Sequence, residues 1–124
     1  MATAFSMVRD INGYNGFGLP FSDQKYSATL AQNTDTSLVI PGGAPLGYAM
    51  QGSVNTYLAI FSYEPGAQVW VALNETAAVP AGASFASTTS ELNPSARRVA
   101  FGDTLHFYSP DVSAAVGVTF YALF

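Results

Sequence analysis

Cysteine is absent from the 124 residues. A disulfide framework, a thiol nucleophile and a thiolate metal site are therefore excluded, and the redox compartment is left open. Charge is scarce as well: 10% of residues are charged, against about 25% in an ordinary soluble domain. Four Lys and Arg stand against eight Asp and Glu, for a net charge of -4. The bases form no stripe, so nucleic-acid binding is not expected. Histidine occurs once, as His106. It falls mid-strand rather than on a loop, and its expected role is that of a polar residue on an outer face near Tyr108. The carboxylates stand singly, without Asp-x-Asp, His-x-His or His-Glu-x-x-His. No catalytic residue, metal ligand or cofactor is expected. Gly13, Gly16 and Gly18 run in the wrong order for a dinucleotide fingerprint. No stretch approaches the ~20 apolar residues of a membrane helix, and Met1 to Asp10 has no apolar run behind a basic segment, so neither a membrane partner nor a secretory leader is expected. Asn74-Glu75-Thr76 matches a glycosylation triplet that such a leader would be needed to use.

What the sequence has is apolar and aromatic surface. Hydrophobic residues make up 49%, with nine Phe, seven Tyr and one Trp. So little charge cannot clothe a free monomer in the usual way, which predicts contact with other protein. The clearest strands lie at the C-terminal end. Val116, Val118, Phe120, Ala122 and Phe124 alternate with Gly117, Thr119 and Tyr121, and Leu105 and Phe107 alternate with Thr104, His106 and Tyr108. This is the period of two that a strand with one core face requires. Gly102-Asp103 and Ser109-Pro110-Asp111 mark turns, so Arg97 to Phe124 reads as a small antiparallel meander.

Upstream, Lys25 to Gln32 and Thr36 to Pro41 read as a hairpin turned at Asn33 to Asp35. Leu46 to Met50 is a candidate short strand. Asn55 to Tyr63 is apolar on both faces, as a central strand covered twice would be. Glu64-Pro65-Gly66 has type II turn composition and leads into Ala67 to Leu73, with Val69, Val71 and Leu73 on one face and Trp70 on the other. Asn74 to Pro94 reads as a long connection carrying one short strand. Residues 1–23 alternate turn formers with lone aromatics and show no periodic face, which predicts an extended N-terminal arm. The expected fold is one all-β domain: an antiparallel β-sandwich or jelly roll of about seven to eight strands over residues 24–124. Phe5, Tyr14, Phe17 and Phe21 on the arm, Trp70 on its strand, and the Arg97-Arg98 pair are the expected interface residues. An aromatic platform for sugar stacking is the alternative use of Trp70 and the tyrosines.

Three stretches carry a resemblance. They are the arm from Ala2-Thr3-Ala4-Phe5-Ser6-Met7 to Gly18, the segment Val69-Trp70-Val71-Ala72-Leu73-Asn74 through Ala81-Gly82-Ala83-Ser84-Phe85, and Gly102-Asp103-Thr104-Leu105-His106-Phe107-Tyr108. With them the chain resembles the small capsid decoration, or cement, proteins of tailed bacteriophages. The resemblance implies a β-sandwich or jelly roll, a homotrimer at threefold or quasi-threefold lattice positions, and the major capsid protein as partner. It also implies a place on the outer surface of the virion and no enzymatic activity. A carbohydrate-binding or host-recognition module on a virion is the alternative.

Overall fold

Alternation of side chains along each strand puts one set of apolar residues inside, and two sheets bury those sets against each other. The computed structural model describes residues 3–5, 7–16, 18–40, 55–80 and 90–123. Among them are ten strands: β1 (Val8–Arg9), β2 (Asn15–Gly16), β3 (Gln24–Leu30), β4 (Thr36–Val39), β5 (Thr56–Tyr63), β6 (Trp70–Leu73), β7 (Glu91–Leu92), β8 (Ala96–Ala100), β9 (Thr104–Tyr108) and β10 (Ala114–Ala122). Eight of them form two four-stranded antiparallel sheets, β3-β10-β5-β8 and β4-β9-β6-β7, while β1 and β2 pair only with each other. The fold is an all-β sandwich.

The pairings are nested. β3 pairs with β10, β4 with β9, β5 with β8 and β6 with β7, as in one long hairpin, and the contacts β10-β5 and β9-β6 then roll that hairpin into two layers. Two expectations are corrected here. β3 and β4 do not form a hairpin, because the chain crosses between sheets at Asn33, whose positive φ of 56° and bond to the Ser109 carbonyl turn it away from β3. The C-terminal strands are not a meander: β8 and β10 lie in one sheet with β5 between them, and β9 lies in the other. The Glu64-Pro65-Gly66 turn forms as expected, with φ of 81° at Gly66 and a 3.0 Å bond from the Ala67 amide to the Glu64 carbonyl. The candidate strand Leu46 to Met50 lies outside the described residues, as does Phe124.

The core lies between the sheets. Leu30, Tyr57, Ala59, Phe61, Val99, Val116, Val118 and Phe120 face Val71, Leu105 and Phe107. Phe61 packs edge-on against Phe107 across the layers and Phe120 edge-on against Tyr57. Such pairs add directional preference to burial. At the sandwich edge Glu91 of β7 and Arg97 of β8 join the two sheets by a bidentate ion pair, both bonds 2.9 Å.

Candidate interaction surfaces

The two outer faces of the sandwich differ. On the β4-β9-β6-β7 sheet, the strand alternation turns Trp70, Ala72, His106, Tyr108 and Ser37 outward, and Ala77 of the connection after β6 returns beside His106 while Ser37 stays exposed. The Ala77 amide donates to Asp35 Oδ1 at 2.9 Å and the Ala78 amide to Ser90 Oγ at 3.2 Å, leaving Ala77 and Ala72 buried. Asp35 Oδ2 also meets His106 Nδ1 at 2.9 Å. One carboxylate thus ties β9 to the covering segment. The same contact orients the imidazole as a triad aspartate would. Among the described residues, however, no hydroxyl is hydrogen-bonded to the ring, and no three His, Asp or Glu gather as a metal site. His106 lies on the outer face near Tyr108, as expected.

Among the described residues the β3-β10-β5-β8 sheet is covered only at one end, where Pro20 and Phe21 lie against Tyr121 and Lys25. Its outward residues are Lys25, Ser27 and Thr29 of β3, Ala115, Gly117 and Thr119 of β10, Leu58, Ile60 and Ser62 of β5, and Ala96 and Arg98 of β8. Leu58 and Ile60 remain half-exposed, so the second covering that β5 predicts is absent among the described residues. Small side chains at the centre of this face leave an open trough of about 490 Å³ along β3, β10 and β5. On the inner side of β5 beneath it, the Tyr63 ring stacks on Phe61 and its hydroxyl donates to the Pro94 carbonyl at 2.6 Å. Burial holds that hydroxyl well above the ordinary tyrosine range.

The N-terminal segment divides in two. Residues 3–5 are bound to their own sheet: Ala4 forms a parallel bridge with Ala122, the Phe5 amide donates to the Ala122 carbonyl at 3.0 Å, and Thr3 bonds Asp23 through both its amide and its hydroxyl. Residues 7–16 then leave the sandwich as the β1-β2 hairpin. Asp10 Oδ1 closes its turn by accepting the Asn12 and Tyr14 amides, each at 2.9 Å. Met7, Val8, Ile11 and Tyr14 are all exposed, with Ile11 at 100% and Tyr14 at 73%. A two-stranded hairpin on its own is marginal in water, and this one turns apolar side chains outward.

The expected interface residues therefore fall in different environments. Phe5 is partly buried on its own sheet, and Tyr14 is on the projecting hairpin. Phe17 lies outside the described residues. Phe21 is 93% exposed, with the Lys25 ammonium 5.5 Å from its ring centre. Trp70 is half-buried on the covered face, and its indole N–H is buried without a hydrogen-bond partner among the described residues. Arg97 is held within the chain by Glu91, whereas Arg98 stands exposed opposite Leu58 on the bare face. Sequence reading missed Met7, Val8 and Ile11, which belong to no aromatic pattern, and it missed the Asp35 contact to His106, which joins residues 71 positions apart. No protein-family model, curated protein or solved structure matches the chain.

Proposed function

We propose that the chain is a non-enzymatic structural protein of a virion, a decoration or cement protein of a tailed bacteriophage. In this reading it sits on the outer surface of an icosahedral capsid as a homotrimer at threefold or quasi-threefold positions and binds the major capsid protein. The observation that carries the reading is the exposed apolar surface of the β1-β2 hairpin, Met7, Val8, Ile11 and Tyr14. Apolar side chains set together on a soluble domain mark a surface that another molecule covers. The nested strand order supports a jelly-roll reading of the sandwich, a design found in viral capsid and lectin domains. The low charge of the chain and its resemblance to cement proteins point the same way.

Light scattering behind a sizing column, across a tenfold dilution of the purified protein, tests the trimer. The expected mass is three times that of the 13.0 kDa chain, and co-sedimentation with capsid shells of the encoding phage tests the partner. Failure to sediment with shells at saturating protein overturns the capsid role.

The fold also favours a second reading, a glycan-binding module, on one specific observation. Phe21 and Lys25 border an open concavity with Thr119 and Tyr121, so the aromatic free to stack on a sugar is Phe21 rather than Trp70. Glycan binding lost on Phe21→Ala with the fold retained would favour this reading over the first.

A further inference from the structure

We propose that the β1-β2 hairpin of one copy docks in the trough on the bare sheet of a second copy, so that the subunits join head to tail. This rests on the self-assembly reading above and adds which surfaces meet. The two surfaces complement each other. The hairpin offers the exposed side chains of Ile11, Tyr14, Met7 and Val8. The trough offers a floor of Ala115 and Gly117 between Ser27, Thr29 and Ser62, with almost no charge. The Ser27, Thr29 and Ser62 hydroxyls can bond to the docked hairpin backbone, and burial of the hairpin's side chains supplies the driving force.

Charge orients the contact. Arg9 on the hairpin and Glu64 at the end of the trough make no ion pair among the described residues of the chain. They become available to each other when the hairpin of one copy lies in the trough of another. Opposite charges at the margin of an apolar contact fix its register. The covered face cannot serve as the receptor, because the chain's own Ala77 and Ala78 already lie there. A contact between two different surfaces of the same chain closes into a ring when its rotation divides the circle. In a closed trimer every hairpin is seated and every trough is filled.

Because the chain has no cysteine, introduced thiols report the contact directly. Ile11→Cys combined with Ser62→Cys is expected to give, on mild oxidation of the full chain, a disulfide-linked ladder ending at the trimer, which neither single variant gives. Hairpin-to-hairpin pairing would instead crosslink Ile11→Cys alone and overturns the proposal. Two further variants keep the test independent of thiol geometry. Ile11→Asp alters a fully exposed side chain. At Gly117 a Cβ would meet the Tyr26 carbonyl at 3.7 Å and Ser62 Cβ at 3.8 Å, ordinary contacts, so Gly117→Ala raises the trough floor without a clash in its own sheet. Each is expected to keep the β-sheet circular dichroism and to weaken association at least about tenfold, the effect of losing one central anchor. Trimers of unchanged stability in both variants, without the mixed crosslink, overturn the docking and leave the assembly reading standing. A wild-type chain that stays monomeric at every concentration overturns the two together.

Discussion

One outer face of the sandwich is partly covered by its own chain at Ala77 and the other is open over most of its extent among the described residues, although both sheets are antiparallel, four-stranded and packed on the same core. The difference comes from the connections between strands. After β6 the chain comes back to this sheet at Ala77, whose amide donates to Asp35, and the same carboxylate meets His106 of β9. Over most of β3, β10 and β5 no described segment returns; only at Tyr121 does the chain fold back, where the hydroxyl donates to the Pro20 carbonyl at 2.6 Å. A sheet without a second layer normally turns polar residues outward. Here the bare face mixes the hydroxyls of Ser27, Thr29, Ser62 and Thr119 with Leu58, Ile60, Ala96 and Ala115, and Lys25 and Arg98 are its charged members among the described strands. The first face is partly covered by the chain itself, and the second, among the described residues, is left largely uncovered.

That contrast can be broken from either side. The largest effect is expected on the closed face. Asp35→Ala removes a charge-assisted contact and the cap on Ala77, leaving both partners unsatisfied, and should lower unfolding stability by about 2–3 kcal/mol. Urea denaturation measures the loss, and faster amide exchange at Ala77 locates it. Association should not change, and if it does, the two faces are not independent. On the open face the outcome is reversed. Ile60→Ser removes a partly buried side chain and should cost the monomer about 1 kcal/mol, while the proposed trimer weakens markedly by light scattering. A variant that unfolds but assembles normally at low temperature would show that Ile60 serves only the core.

The smallest effect belongs to the edge where the sheets meet. Hydrogen bonds from Arg97 hold the Glu91 carboxyl below its ordinary value of 4.5. A carboxylate with a depressed folded value stabilises the fold above its unfolded value, and that contribution disappears as pH falls through the folded one. The pair is roughly half exposed, so the contribution should be about 0.5 kcal/mol or less. It should vanish from the pH dependence of stability below 4.5 in Glu91→Gln. A pH profile identical to wild type would show that the pair adds nothing.

Much of the secondary structure was legible in the residues. The alternation in Val116 to Ala122 and in Leu105 and Phe107, the apolar run of β5 and the Pro65-Gly66 turn all appear where the pattern places them. The projecting hairpin was legible only as an irregular arm, because its flanking runs hold two residues each. Asn12-Gly13 marks its turn, but nothing in so short a segment says that it pairs with itself or that it leaves the sandwich. The closed face was legible least. Asp35, His106 and Ala77 share no local pattern, and their meeting requires three separate connections to be folded first.

The sequence by itself determined that this is an all-β chain, where its principal strands run and which side of each is apolar, because the period of two is a local property of extended backbone. Only the tertiary structure decided partnership. A turn such as Asn33 to Asp35 reverses the chain equally well into a neighbouring strand ≈ 4.8 Å away or across to a sheet ≈ 10 Å away. The choice is made by burial of both apolar faces at once, a condition that no single segment contains. It sent β3 and β4, and likewise β8 and β9, into opposite layers, covered one outer face and left the strands of the other without a described layer over them.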